Sequence, residues 1–269
     1  MITTGTRPAP GPPSPPKEIL RETLKTPEIP RATTPSRPVL HGRTVTLTPL
    51  LPAHAPQLFP LLNSDSPDQK ALWTYMPEGP YDDLEVFEKD IGTKSESADP
   101  LFFAIVDNRS NRPVGYLGLM RISVENRRLE IGHVMYSKAL QKTTGATETV
   151  FLLLQYAFDT LGFRRVEWKC NNLNEGSKRA ALRLGFQYEG LFRQHMVVKG
   201  KNRDTAWFSI VDGEWKESVK DIFETWLAEG NFDGDGGQIK GMEEIRGRVN
   251  DRIELEKREL EEVVRYMAK

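Results

Sequence analysis

A carboxamide, a hydroxyl and a carboxylate stand close together in NNLNEGSKRAALRLGFQYEG, residues 171–190: Asn174, Ser177 and Glu189. A hydroxyl and a carboxylate are groups able to donate and accept protons and hydrogen bonds. The same residues also meet local needs. Asn174 sits where a helix begins, Ser177 falls in its first turn, Ala181 and Leu184 face inward, and Gly185 supplies a left-handed exit. What sets the stretch apart is position. It follows a strand that itself follows a strand–helix pair, where α/β proteins place ligands at strand ends.

Apolar spacing gives the elements that must hold these groups. RTVTLTPL (43–50) alternates as a strand, PLFFAIVD (100–107) is aromatic and β-branched, and NRSNRP turns the chain into VGYLGLMRI (114–122). With RRLEIGHVMYS (127–137) these runs suggest an antiparallel meander. TETVFLLLQYAFDTLGF is apolar almost all round and reads as a buried helix stopped at Gly162. RRVEWKC returns as a strand, making 127–170 a β-α-β unit, and FQYEGLFRQHMVVKGKNRDTAWFSIV gives two long strands joined through KGKNR. The fold class is therefore α/β, a mixed and mostly antiparallel sheet flanked by helices.

Composition bounds the function. The chain has 269 residues, 38% of them hydrophobic, enough for a substantial core. A net charge of −1 gives no electrostatic case for nucleic acid or an anionic membrane. The longest apolar runs, such as VFLLL (150–154), are far shorter than the roughly 20 residues of a spanning helix. The lone Cys170 rules out an internal disulfide and a four-cysteine zinc site, and favours a reducing compartment. The first residues lack a charged start followed by an apolar block, so no secretory leader is expected. The expectation is a cytoplasmic protein, with a nuclear one left open.

Ten of the 19 prolines precede Val39, so residues 1–38 are expected to form a disordered arm. The globular domain is placed at 39–229, and GNFDGDGGQ makes 230–238 a flexible linker. In 239–269, Met242, Ile245, Val249, Ile253, Leu260, Val263 and Met267 recur near the 3.6 period, predicting an amphipathic helix that packs on the globule or meets a partner, a second copy included.

From about Val39 to Trp226 the sequence resembles the Gcn5-related N-acetyltransferases, and within them the group similar to the ribosomal-protein N-terminal acetyltransferases. The resemblance rests on NEGSKRAALRLGFQYEGLFRQ, supported in order by EIGHVMYS, LQKTTGATE, RRVEWKC and NRDTAWFSIVDGEW. It implies acetyl-CoA as co-substrate, an amine acceptor, direct transfer in a ternary complex and no metal. QKTTGA would cradle the pyrophosphate through Gln141, Lys142, Thr143, Thr144, Gly145 and Ala146, since the first amides of a helix are unpaired and its dipole end is positive. Thr144 stands where the family pattern has its first Gly, whose positive φ Thr does not readily adopt; its hydroxyl is an alternative donor.

Asn174 and the backbone of Val134 and Met135 would hold the pantetheine arm, Ser177 would serve the thiol leaving group and Glu189 the incoming amine. His133 and Glu130 are competing bases, and Arg193 offers Glu189 an ion pair instead. Trp73, Tyr75 and Tyr81 would line the acceptor side, with Asp82, Asp83 or Asp204 drawing a cationic amine; the same residues also suit core and surface roles. The alternative is a non-catalytic acyl-CoA-binding or scaffold protein of the same fold.

Overall fold

The computed structural model describes residues 29–64 and 66–267, with side chains to Glu254. Within these residues the chain opens with a short hairpin, β1 (Leu40–His41) and β2 (Val45–Pro49), followed by helices α1 (Ala55–Leu62), α2 (Pro67–Leu72) and α3 (Leu84–Glu96). The meander comes next as β3 (Leu101–Asp107), β4 (Arg112–Ser123) and β5 (Arg128–Tyr136). It leads to α4 (Thr144–Gln155), β6 (Arg165–Asn171), α5 (Glu175–Arg183) and the hairpin β7 (Gln187–Val198) and β8 (Lys201–Val211). Helices α6 (Lys220–Leu227) and α7 (Met242–Met267) complete the fold. The strands form one sheet in the order β1-β2-β3-β4-β5-β6-β8-β7, antiparallel at every junction but β5–β6.

Alternation along each strand gives the sheet two faces. Leu101, Phe103 and Ile105 of β3, Leu117 and Leu119 of β4, Leu129 and Ile131 of β5, and Val166 and Trp168 of β6 join one core with α4 and α6. Phe102 and Ala104 of β3, Tyr116 of β4 and Met135 of β5 join the other, under α1 and α3. A charge is built into the first core: Glu148 of α4 is 4% exposed, and its carboxylate accepts the backbone N–H groups of Arg43 (2.6 Å), Thr44 (2.7 Å) and Val45 (3.2 Å). A buried carboxylate is tolerable when so many donors surround it. It ties the turn before β2 to α4. Gly145 permits the same approach, since a Cβ there would lie 2.7 Å from Val45 Cγ1.

Two boundaries differ from those read in the sequence. The arm expected over 1–38 lies outside the described residues up to 28, but residues 32–37 are held: Ala32 N–H donates to Val124 O (3.0 Å), Thr33 N–H to Leu161 O (2.9 Å) and Ser36 N–H to Tyr156 Oη (3.0 Å). The Gly- and Asp-rich stretch 230–238 is a hydrogen-bonded loop. Asn231 donates to Trp226 O and Lys240 O, while Asp233 accepts the amides of Asp235 and Gly237. Proline and glycine content marks where helix and strand stop; it does not exclude a loop pinned by side chains. Beyond the loop, α7 packs Met242, Ile245 and Val249 into the first core.

Removing residues 1–38 is expected to lower stability by about 2–3 kcal/mol relative to removing 1–31, because the three backbone N–H hydrogen bonds of Ala32, Thr33 and Ser36 are each worth roughly 1 kcal/mol. Thermal unfolding of the two truncations checks this as a difference of roughly 4–8 °C.

Candidate active site

The parallel junction between β5 and β6 is short. Its pairs are Arg128–Arg165, Leu129–Val166 and Glu130–Glu167, after which the two strands part. The last pair sets two carboxylates side by side, each 4% exposed. Between them stands Lys169, its side chain 2% exposed and its Nζ 2.9 Å from Glu130 and 2.6 Å from Glu167. The ammonium also lies 3.9 Å from the centre of the Trp207 ring. Arg165 reaches Glu167 at 2.8 Å and Arg121 reaches Glu130 at 3.4 Å. Burial pushes the Glu167 carboxyl up, but hydrogen bonds from Lys169 and Arg165 prevail and hold it below the usual range. The signal for this cluster lies in RVEWKC: Arg165, Glu167 and Lys169 alternate with Val166, Trp168 and Cys170, a charged face against an apolar one.

Beyond Glu130 and Glu167 the parted strands leave a gap between β5 and β6. On the α4 side, Thr143 caps the helix, its hydroxyl accepting from Ala146 N–H at 3.3 Å and donating to Leu140 O at 2.7 Å. The amides of Thr144 and Gly145 are then the open donors of the first turn. The positive φ of this loop falls on Lys142 (61°), not on Thr144, which takes helical geometry as the first residue of α4; the missing Gly costs no strain there. Gln141 Nε2 donates to Tyr136 O at 3.0 Å and braces the loop from β5.

On the same side, Asn174 is the N-cap of α5, its Oδ1 accepting Ser177 N–H at 3.1 Å. Trp168 Nε1–H donates to Ser177 Oγ at 2.9 Å, which fixes the serine beside the parted end of β6 and leaves its own proton to give. Cys170 adjoins Ser177, and burial pushes its thiol pKa up, keeping it protonated at neutral pH. Val134 and Met135 follow a bulge in β5, where the register jumps from Gly118–Gly132 to Tyr116–Met135 and His133 has φ 48°.

Glu189 does not join them. Arg165 grips its carboxylate with both terminal nitrogens and Ser209 Oγ donates to it at 2.8 Å. Ser209 is the β8 partner of Glu167, so this carboxylate lies on the sheet face opposite to Trp168 and Ser177. The Arg165 hydrogen bonds hold its pKa below the usual carboxylate range, making it a weaker base. The ion pair read for Arg193 is made by Arg165 instead, a partner brought by β6 and invisible in local sequence.

The aromatic segment is also reassigned. Trp73 is 0% exposed and donates Nε1–H to Leu62 O at 2.8 Å, so it is core rather than pocket wall. Tyr81 packs edge-on against Trp73. The Tyr75 hydroxyl donates to Leu173 O at 2.9 Å, and Lys199 Nζ reaches Trp73 O (3.0 Å) and Gly79 O (2.7 Å) from the β7–β8 turn. Gly79 is required, with φ 63° and a Trp73 ring atom 2.3 Å from where its Cβ would stand. Of the acidic candidates, Asp83 caps α3, Asp204 accepts Gln194 N–H on the hairpin, and Asp82 is exposed. Among the described residues, no acidic, His and Cys group is placed to hold a metal, and no helix is long and apolar enough to cross a membrane.

Residues 44–187 match the acetyltransferase (GNAT) domain family, and the chain belongs to it. A GCN5-related N-acetyltransferase from Brucella melitensis has a TM-score of 0.78 at 43% identity, over 81% of this chain and 98% of its own. YoaA of Bacillus subtilis (strain 168), an uncharacterized N-acetyltransferase, is 34% identical over 98 residues; the match spans 36% of this chain and about half, 55%, of that relative. At the level of fold alone, the Microcin C7 self-immunity acetyltransferase MccE, solved with acetyl-CoA and AMP, has a TM-score of 0.56 at 20% identity, over 63% of this chain and 93% of its own.

Lys169→Met is expected to cost about 3–5 kcal/mol at neutral pH by stranding two buried carboxylates. In the wild type, the lowered pKa of Glu167 stabilises the fold above about pH 4.5, and that stability is lost as pH falls through the folded value. In the variant Glu167 loses the Lys169 hydrogen bond that lowers its pKa, so the deficit should shrink on acidification; urea unfolding at pH 7.5 and 5.5 measures both slopes. Glu189→Gln should cost no more than about 1 kcal/mol, as an exposed ion pair does.

Proposed function

We propose that this chain is an acetyl-CoA dependent N-acetyltransferase acting on a primary amine, either a protein N-terminus or a small amine. The parting of β5 from β6 beyond Glu130 and Glu167 carries the reading, because it leaves unpaired strand edges between an uncovered helix start and Ser177. Unpaired backbone donors and acceptors need a polar partner, and an extended amide-bearing arm would supply one. The site suits the co-substrate in charge as well: the amides of Thr144 and Gly145 with the side chains of Gln141, Lys142 and Thr143 would take the pyrophosphate, with Gly145 and Ala146 in the first turn. Asn174, Val134 and Met135 would hold the arm. Bound there, acetyl-CoA supplies an activated acyl group.

The chain's own work is positioning and proton handling. Ser177, held by Trp168 and by its place in the first turn of α5, would donate its hydroxyl proton toward the leaving sulfur. Backbone N–H groups at the β5 bulge would stabilise charge on the carbonyl oxygen. Thr144 adopts helical geometry at the start of α4, which is compatible with its amide serving the phosphate.

With an acceptor panel of phenylethylamine, spermidine and an alanine-initiated peptide, the wild type is expected to release free thiol with saturation in acetyl-CoA. Ser177→Ala should lower kcat about 10–100-fold while calorimetric acetyl-CoA affinity stays within about twofold. Unchanged turnover in the variant would remove Ser177 from the reaction; saturable binding without turnover on any acceptor would return the scaffold reading.

A further inference from the structure

Resting on that transferase reading, we propose that His133 takes the proton from the incoming amine and that Glu78 positions its imidazole. The bulge in β5 turns His133 onto the sheet face opposite Ser177, with its ring edge-on to Phe102 of β3 at 5.3 Å between centroids. A non-glycine residue held at φ 48° next to Val134 and Met135 marks strain stored where the gap opens. Leaving group and acceptor would thus be served from opposite faces, through the gap.

The surroundings of His133 form a half-buried polar centre beside the apolar core under α1 and α3. Its Nδ1 lies 3.6 Å from Glu78 Oε1, which lies 3.0 Å from Lys94 Nζ, itself 2.6 Å from Asp90. Tyr116, fully buried on β4, and Tyr81 complete the group, while Glu130 of the same strand is already committed to Lys169 and Arg121. Glu78 Oε1 is held by Lys94, whereas His133 Nδ1 and Tyr116 Oη are buried atoms without a hydrogen-bond partner. Glu78 remains anionic: burial pushes it up, but His133 and Lys94 hold it at about 2. An anion facing Nδ1 favours the tautomer with the proton there and leaves Nε2 as the acceptor.

The step balances without any other reactant. The neutral amine nitrogen attacks the thioester carbon, the C–N bond forms, and its proton passes to Nε2. The tetrahedral intermediate then collapses with loss of the C–S bond, and the thiolate takes the proton of Ser177 Oγ, which regains one from solvent. His133 returns its proton to solvent. Lys94, already neutralised by Glu78 and Asp90, stays a structural cation.

The test compares wild type, His133→Asn and Glu78→Gln with the same three acceptors, each protein also titrated with acetyl-CoA by calorimetry. Asn tolerates positive φ, so the backbone is kept. The wild-type kcat/KM for amine should rise with pH. His133→Asn should lower it about 100-fold or more and flatten that dependence, with acetyl-CoA affinity unchanged. Glu78→Gln should lower kcat about tenfold, with KM for the amine and acetyl-CoA affinity retained. A His133→Asn enzyme with wild-type rate and pH dependence would overturn this proposal and leave the transferase reading standing. Absence of wild-type turnover would overturn both.

Discussion

Everything at the site depends on one cation between two carboxylates. Glu130 and Glu167 are neighbours in the last parallel pair of the sheet, and both are buried. Two like charges in that position would drive one group to neutrality or force the strands apart. Lys169 prevents both, and Trp207 shields it from water on the exposed side of the hairpin. Pairing therefore survives up to these residues and no further. The gap beyond is a consequence of where the pinned junction ends.

The gap gives the two faces of the sheet different chemistry. One face offers helix N-termini: the open amides of α4 and the capped start of α5, with Ser177 fixed by an indole N–H. The other offers side-chain charge under α1 and α3, where Glu78, His133 and Lys94 meet beneath the segment that Tyr75 and Lys199 tie down. Neither face holds all the groups that acyl transfer to an amine needs. In the proposed reaction, the parting of the strands would let both act on one pair of atoms.

Much of the frame was legible because it depends on periodicity. Alternation in 43–50 and 100–137, the all-round apolar helix after Thr147 and the paired strands near the end follow from burial alone, and each appears as read. So does the cap at Asn174, whose chemistry is local. The partners of charged groups were not legible, because they come from distant strands. Glu189 looked available until Arg165 was brought beside it by the β6–β8–β7 order, and Trp73 looked like a pocket aromatic until α1 supplied Leu62 O for its indole. Glu148, a lone acid in an apolar helix, and the alternating Arg165, Glu167 and Lys169 were readable clues to buried charge.

The most direct test of the parted junction as the acyl-CoA site is amide hydrogen exchange of the full chain with and without acetyl-CoA. The account predicts that added protection is confined to residues 131–136 of β5, the start of α4 at 143–146 and the start of α5 at 174–177. Protection centred elsewhere, or none at saturating acetyl-CoA, would contradict it.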